Sequence, residues 1–423
     1  MKALNDNWYK LDNVSKVFLA THNNRDTRSI RVSCTLKELV DKPTLEKALL
    51  QTIKMRPQFQ VRIRRGFFWH YIESTDVLPE VYEEDDRPCP VMYGNEYKGV
   101  LHYKVSYYKN RINIDMFHAI SDGTGALSFL KLLVLNYLQI VHPGQLDNVS
   151  LSDDASSDDM FQNSYDQFYD KSGGPLPKKI LNKKKKAYII KGQKLPYNQL
   201  QFFEAHMQVK KLVEASKSMQ VSVTSYLGAQ LMMAIHAGMP FSQKRKPITI
   251  SMPVNLRNYY PSETLRNFFN SVDVTHLFDG NETVESLAKE FDEKLKEAIS
   301  VDNIKDQMNR YQSMERLGFT RVVPLAIKQP IIKAFSKKDA KTVTAVLSNL
   351  GKITVPEEMD KHIEGFTDFC STEKIFITVT SYNDDVVLGI ASAYAGTSVV
   401  RRLIKALKGT GTSVKLYATE VIR

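Results

Sequence analysis

A histidine and an aspartate lie four residues apart in the segment HAISDG, and their types and spacing could support chemistry. His118 follows a run in which Ile112, Ile114 and Met116 alternate with other residues, so it continues the inward side of a strand. A side chain at a strand end can be held rigidly and still reach a cleft. Taken singly, His118 could be a satisfied core histidine, and Asp122 could be only the N-cap of the next helix.

The spacing of these residues argues for a motif. With Gly123 the pattern reads His-x-x-x-Asp-Gly, which a chain of this length would contain by chance on the order of a few per cent of the time. We therefore treat the three residues as one candidate site.

The elements that must position this motif alternate between strands and helices. We predict a strand over 29–36, a helix ending at Pro57 and a hairpin that turns at Arg65-Gly66. Two further strands meet at Lys109-Asn110, and a helix follows from about Thr124 to Ile140. The motif thus lies between a strand and a helix.

The second half of the chain shows similar patterns and partly repeats the first. We predict helices over 206–218, 223–237 and 284–300, a strand from about 247, and strands over 343–347, 375–380 and 386–391.

The segment VSYYKNRINIDMFHAISDGTGALSFLKLL of the first half matches VTSYNDDVVLGIASAYAGTSVVRRLIKAL of the second in length and hydrophobic phase. Where the first copy has His118 and Asp122, the second has Ala393 and Thr397. We predict a duplicated αβ sandwich in which one copy carries polar chemistry, with domains over 1–145 and 196–423 and a connection over 146–195.

Composition excludes several classes of protein. The 423 residues exceed what one hydrophobic core usually supports, and 43% hydrophobic with 25% charged residues is ordinary for a folded chain. Disordered, collagen-like and disulfide-scaffold classes are therefore excluded. Cys34, Cys89 and Cys370 have no metal-knuckle spacing and fit a reducing compartment.

The formal net charge is +11, and eight of the lysines lie between Lys178 and Lys194. Such a run is most often a solvated loop. The second interpretation is that the lysines attract a polyanionic ligand, such as a nucleotide-bearing coenzyme. Nucleic-acid binding ranks third, because no nucleic-acid-binding motif accompanies the lysines. We therefore predict no nucleic-acid partner.

Targeting signals are not evident in the sequence. The N-terminal residues lack the apolar core of a signal peptide, and the apolar run over 127–141 contains Lys131 and Asn136, which favours a core helix over a membrane span. We expect a cytoplasmic protein with no transmembrane segment.

Three segments carry a resemblance to a known family. HAISDG resembles the HxxxDG motif of the superfamily with the chloramphenicol-acetyltransferase fold, which includes BAHD acyltransferases, alcohol acetyltransferases and peptide-synthetase condensation domains. Val254-Asn255-Leu256-Arg257 resembles the VNLR segment of that superfamily, 267–270 its aromatic-then-Asn strand, and 348–351 (SNLG) a segment near the cleft. Standalone alcohol acetyltransferase-like proteins are the most similar members.

The resemblance implies an α/β fold of two such αβ sandwich domains, with mixed sheets flanked by helices, forming a pseudo-dimer with a tunnel at the interface. It implies that His118 is the general base for attack of an acceptor on an acyl thioester, and that Asp122 pairs with Arg257 to hold the loop and join the domains. Gly123 would permit close approach of the backbone.

Further site residues follow more weakly from the same resemblance. Asn270, Ser348 and Asn349 would line the tunnel or donate hydrogen bonds, with structural roles equally open. One of the hydroxyls of Thr378, Thr380 and Ser381 would serve the oxyanion.

The function implied is an acyl-CoA-dependent O-acyltransferase that uses a small-molecule acceptor, with acyl-CoA as co-substrate, no permanently bound cofactor and no metal. An N-acyltransferase or a carrier-protein-dependent condensation enzyme is the nearest alternative, although Phe117 stands where condensation domains carry a second histidine. An idle protein that binds an acyl ligand is a third. We expect a monomer.

Overall fold

The computed structural model describes residues 8–84, 87–94, 99–151, 157–170, 185–316, 323–409 and 411–419. Within them the strands are β1 (Trp8–Lys10), β2 (Ser29–Leu36), β3 (Val61–Arg65), β4 (His70–Ser74), β5 (Val81–Glu83), β6 (Tyr103–Tyr108), β7 (Arg111–Phe117), β8 (Gln201–Gln208), β9 (Ile248–Asn255), β10 (Phe269–His276), β11 (Ala345–Lys352), β12 (Ile363–Cys370), β13 (Ile375–Tyr382), β14 (Asp385–Ser392) and β15 (Val414–Ala418).

The helices are α1 (Asn13–Thr21), α2 (Lys42–Met55), α3 (Gly123–Val141), α4 (Ser157–Phe161), α5 (Ser164–Gln167), α6 (Val209–Ser218), α7 (Val223–His236), α8 (Val284–Ala298), α9 (Val301–Arg316), α10 (Leu325–Asp339), α11 (Glu357–Asp360) and α12 (Ser398–Lys408).

Two main sheets form the framework of the two halves. The first-half sheet has the order β12-β2-β7-β6-β5, and the second-half sheet has the order β10-β9-β11-β13-β14-β8-β15; β1, β4 and β3 form a small third sheet. Parallel and antiparallel pairs occur in both main sheets, and each half has its own buried apolar core. The predicted arrangement of two αβ domains with mixed sheets and flanking helices is confirmed.

One strand crosses the boundary that the sequence suggested between the halves. Strand β12 lies within the predicted 196–423 domain, yet it pairs antiparallel with β2 and forms the edge of the first-half sheet. The division into 1–145 and 196–423 therefore needs a correction, since residues 363–370 belong structurally with the first domain. Hydrogen bonding to β2 is the physical reason, because it satisfies backbone groups that an open edge would expose.

Several predicted boundaries also shift. Residues 206–208 end strand β8, so the helix predicted from 206 begins at Val209. The β3–β4 turn spans four residues and is closed by the hydrogen bond from Gly66 N to Trp69 O (2.9 Å), so it is longer than a turn at Arg65-Gly66. The turn at Lys109-Asn110 has Lys109 in the left-handed region, with a φ of 52°.

Helix α3 is the one described helix long and apolar enough to cross a membrane, and most of it is buried within the protein. It packs against α2, and the Asn136 side chain donates a hydrogen bond to Thr52 Oγ1 (2.9 Å) in that contact. A buried, internally bonded amide of this kind is typical of a core helix, in agreement with the sequence interpretation.

Candidate active site

His118 lies immediately after β7, at the contact between the two halves. Its backbone N–H donates to Arg28 O (2.7 Å), which fixes the chain as it leaves the sheet. The half-buried imidazole packs against two aromatic rings, Phe18 of α1 at 4.5 Å and Phe269 of β10 at 5.6 Å between centroids. An apolar rim therefore surrounds this polar side chain.

Asn267 sets the protonation pattern of the imidazole. Its Nδ2 donates to His118 O (2.7 Å) and Ser15 Oγ (3.0 Å), so its Oδ1 is left as an acceptor 3.0 Å from His118 Nδ1. The hydrogen-bond network thus assigns the imidazole proton to Nδ1. Nε2 then carries the lone pair, as a general base requires.

Burial lowers the pKa of His118 below its usual value of 6.5. The negative charge of Asp122 and the hydrogen bonds to the backbone of His118 and to Asn267 act in the opposite direction, and burial outweighs them. Since the pKa lies below 6.5, the imidazole is neutral at physiological pH.

Asp122 is the N-cap of α3 and also the centre of a buried ion pair. Its Oδ1 accepts from Gly125 N (3.0 Å), and its Oδ2 accepts from Arg257 Nη1 (2.8 Å) and Phe268 N (3.0 Å). The carboxylate side chain is 7% exposed. It therefore joins the loop that follows His118 to two segments of the second half.

Arg257 makes further hydrogen bonds that hold the neighbouring loop. Its Nε and Nη2 donate to Thr264 O (3.0 and 2.7 Å), Nη2 also donates to Arg266 O (2.7 Å), and Nη1 donates to Asn255 Oδ1 (3.2 Å). The guanidinium thus connects the end of β9 to the segment that carries Asn267. Asp122 and Asn267 together tie His118 to the second half.

The two glycines in the first turn of α3 differ in what surrounds them. A Cβ at Gly123 would lie 3.2 Å from a Leu350 side-chain carbon, and that side chain can move. A Cβ at Gly125 would lie 2.2 Å from both Leu265 O and Ser121 Oγ. The close backbone approach that the resemblance assigned to Gly123 occurs at Gly125.

The other predicted site residues make contacts that do not include His118. Asn270 is buried in β10 and its Nδ2 lies 3.5 Å from Ile304 O. Ser348 is half-buried in β11, and the exposed Asn349 donates to Thr224 Oγ1 (2.8 Å). Thr380 donates to Phe366 O and Ser381 to Gly351 O, both at 3.4 Å. No contact with His118 is recorded for any of the five in the described ranges.

Sequence reasoning missed Asn267 as a functional residue. The segment 267–270 was singled out, but Asn270 was chosen from it. No local pattern marks Asn267, because it precedes β10 and its partner His118 lies 149 residues away along the chain.

His118 lines neither of two crevices that lie on the described surface. One, of about 840 Å³, lies between the halves and is lined by charged residues that include Arg31, Arg111 and Glu204. The other, of about 510 Å³, lies beside Trp8 and Arg266. The tunnel that the resemblance implies stays a prediction.

The lysine-rich stretch is described only in part, since Lys178–Lys184 lies outside the described residues. Its second part, from Lys185 to Lys194, packs along the second-half sheet, where Tyr188 N donates to Pro247 O (2.7 Å) and Lys194 bridges Tyr394. Lys185, Lys186 and Lys191 are exposed.

Solved structures share this fold over nearly the whole chain. The first condensation domain of the CDA synthetase has a TM-score of 0.62 at 12% identity and covers 96% of each chain. Trichothecene 15-O-acetyltransferase TRI3 from Fusarium sporotrichioides has a TM-score of 0.61 at 11% identity, covering 95% of this chain and 94% of its own. TRI101 from F. graminearum, solved with coenzyme A and deoxynivalenol, has a TM-score of 0.64 at 11% identity, covering 96% and 99%.

These likenesses show the fold alone, which the chain shares with condensation domains and trichothecene acetyltransferases, as the sequence motifs predicted. Residues 193–387 match the alcohol acetyltransferase family model, which identifies the protein as an acyltransferase and confirms the resemblance to alcohol acetyltransferase-like proteins. No curated protein matches the chain significantly in sequence.

Proposed function

We propose that this protein is an acyl-CoA-dependent O-acyltransferase in which His118 Nε2 is the general base. The observation that carries the proposal is the hydrogen bond between His118 Nδ1 and Asn267 Oδ1 (3.0 Å), because it leaves the lone pair on Nε2. The lowered pKa keeps that lone pair available at neutral pH. Positioned general bases typically contribute roughly 10²–10⁴-fold to the rate.

In the proposed reaction the acceptor hydroxyl transfers its proton to Nε2 as its oxygen attacks the thioester carbonyl carbon. The tetrahedral intermediate collapses with cleavage of the carbon–sulfur bond. The leaving thiolate takes the proton from the imidazolium, which yields the ester and free coenzyme A and restores neutral His118. No covalent acyl-enzyme is needed.

The residues that contact His118 and Asp122 have roles in this scheme. Phe18 and Phe269 exclude water from the imidazole, which strengthens electrostatic interactions there. Asp122 is a positioning residue, because its oxygens bond Gly125, Arg257 and Phe268. The hydroxyls of Thr380 and Ser381 already donate to backbone carbonyls, so they do not support an oxyanion role.

Acyl-CoA is proposed as the donor because TRI101, of the same fold, was solved with coenzyme A. The competing carrier-protein-dependent function gains no support from position 117. Phe117 is fully buried, and its ring stacks on Tyr93 at 5.2 Å with an interplanar angle of 2°. This residue fills the core and offers no second imidazole.

The proposal is tested by free-thiol release from acetyl-CoA and longer acyl-CoAs with a panel of alcohols and amines. We expect acceptor-dependent release that falls by roughly 10²–10⁴-fold in His118→Ala. His236→Ala, which changes a histidine at the end of α7, is the matched control and should keep wild-type activity.

Circular dichroism and thermal unfolding check that both variants are folded. Turnover by a folded His118→Ala protein at the wild-type rate would contradict the role of His118. Turnover with amines alone would show that the enzyme is an N-acyltransferase and not an O-acyltransferase. Turnover only with a pantetheine-loaded carrier protein would show that the donor is a carrier-bound thioester and not acyl-CoA.

A further inference from the structure

Two histidines and a glutamate converge at the far end of α3 from His118. Glu38 follows β2, His142 is the C-cap residue of α3, and His362 immediately precedes β12. The 19 residues of α3 span about 28 Å, so this cluster is remote from the candidate active site.

The geometry of the cluster differs from that of a hydrogen-bonded network. Glu38 Oε1 lies 3.4 Å from His142 Nε2 and 3.8 Å from His362 Nδ1, and one ligand atom from each residue lies within 4.8 Å of the others. These distances exceed the roughly 2.7–3.2 Å of a good N–H···O hydrogen bond. They are near the separation of about 3.3 Å between neighbouring ligands of a tetrahedral zinc ion with bonds of roughly 2.0–2.1 Å.

An unsatisfied atom points to the same interpretation. His142 Nε2 is buried from solvent and has no hydrogen-bond partner among the described residues. Its ring stacks on that of His362, with centroids 4.0 Å apart and an interplanar angle of 26°. Buried polar atoms are usually satisfied, so an orphaned imidazole nitrogen beside a carboxylate calls for a ligand.

The backbone holds all three residues on ordered elements. His142 N donates to Leu138 O (2.8 Å) at the end of α3, and Lys37 N donates to His362 O (2.9 Å). The Lys37 ammonium, next to Glu38 along the chain, donates to Lys361 O (2.8 Å). Little rearrangement is therefore needed to bring the three ligand atoms onto one ion.

We propose that Glu38, His142 and His362 bind a divalent transition-metal ion, with zinc the best fit. Two imidazoles and one carboxylate suit zinc, whereas magnesium and calcium prefer all-oxygen sites. The fourth position is open to water. Because Glu38 and His142 belong to the first half and His362 leads into β12, the ion fastens the crossing strand to the first-half sheet.

The test measures metal binding on the full-length protein. Purified protein is stripped with a chelator, dialysed against zinc, washed and analysed for zinc by mass spectrometry, and its melting temperature is recorded with and without zinc. We expect one zinc per chain and a rise in melting temperature of roughly 2–4 °C. Magnesium should produce neither effect.

Variants of the ligands distinguish this site from adsorption of zinc to surface histidines. Glu38→Gln and His142→Gln should lose retained zinc and the thermal shift, and Glu38 is exposed enough for its variant to fold. His276→Gln is the matched control. His276 also contacts two carboxylates, those of Glu282 (3.0 Å) and Glu290 (2.9 Å), but through opposite ring nitrogens, so they do not converge with it on one centre.

Retention of zinc by His276→Gln together with its loss in both ligand variants would support the site. Wild-type protein that retains no zinc and shows no thermal shift would overturn the proposal. Equal zinc binding by the wild type and the three variants would also overturn the proposal, because such a result would show that zinc adsorbs to the surface.

Discussion

Replacing Asp122 with alanine would test how the two halves hold the loop that carries His118. The carboxylate accepts three hydrogen bonds, from Gly125 N (3.0 Å), Arg257 Nη1 (2.8 Å) and Phe268 N (3.0 Å). The variant therefore loses a helix cap, a charge partner and a contact between halves in one step.

The expected cost follows from these contacts. Loss of an N-cap costs about 0.5–2 kcal/mol, and breaking a buried ion pair costs about 3–5 kcal/mol. Arg257 keeps its bonds to Thr264 O, Arg266 O and Asn255 Oδ1, which reduces the penalty of the stranded charge. We therefore expect a loss of about 3–5 kcal/mol in the free energy of unfolding, with loss of acyl transfer.

The assay is guanidinium unfolding followed by fluorescence and circular dichroism, with coincidence of the two probes as the check for two-state behaviour. Asp122→Asn separates the cost of the lost N-cap from the cost of the broken ion pair, because asparagine is as good an N-cap as aspartate but carries no charge. It should therefore lose less stability than Asp122→Ala.

A double-mutant cycle with Arg257→Met measures the pair itself. We expect a coupling energy of about 1–3 kcal/mol, because the two side chains are in direct contact. A cost below about 1 kcal/mol for Asp122→Ala, or losses that simply add in the double variant, would refute the reasoning.

Three further predictions concern protonation and packing. Asn267→Asp puts a negative charge against Nδ1 of His118, raises the pKa of the base and should move the acid limb of the kcat/KM–pH profile to higher pH; an unmoved limb would contradict the assigned contact. Gly125→Ala should cost about 1–3 kcal/mol in denaturant unfolding, whereas Gly123→Ala should change stability by less than about 1 kcal/mol. Burial acts to lower the pKa of His206, but hydrogen bonds to Asp385 and Glu204 outweigh it and raise the pKa to about 9. The stabilisation from protonated His206 is fully present below pH 6.5 and is lost as the pH rises to about 9, so the denaturant midpoint of unfolding should fall over that range. In His206→Gln the midpoint should fall less.

The sequence predicted the parts of the fold that rest on local periodicity. Helix α3 was expected from Thr124 to Ile140 and spans Gly123–Val141, and strand β14 was expected over 386–391 and spans Asp385–Ser392. Both elements are buried on most of their surface, and their runs of apolar residues agree with that burial.

Features that depend on distant contacts could not be predicted in the same way. Strand β12 includes Gly365 and the buried Asp368, which breaks the apolar alternation, and its partner β2 lies more than 300 residues away along the chain. Asn267 was likewise invisible as a partner of His118, because 149 residues separate them. Such positions follow from tertiary pairing, on which local patterns carry no information.

The second copy of the strand–loop–helix unit shows why one chain would hold one site. In the first copy the loop after β7 presents His118 and ends in Asp122, whose side chain caps α3. In the second copy the loop after β14 is paired with the connecting segment instead: Leu195 N donates to Ala393 O, and Ala395 N donates to Gln193 O, both at 2.9 Å.

In the first copy the backbone carbonyl of His118 accepts a hydrogen bond from the Asn267 side chain. In the second copy the corresponding carbonyl, that of Ala393, accepts from the connecting segment. Thr397, the N-cap of α12, makes no capping hydrogen bond with its side chain, so this copy has neither the carboxylate nor the arginine contact that fixes the first loop. A base placed at Ala393 would lie against backbone already hydrogen-bonded to residue 195. Restoring the motif residues alone would not reproduce the first site, because the segment that links the halves pairs with the backbone of this loop.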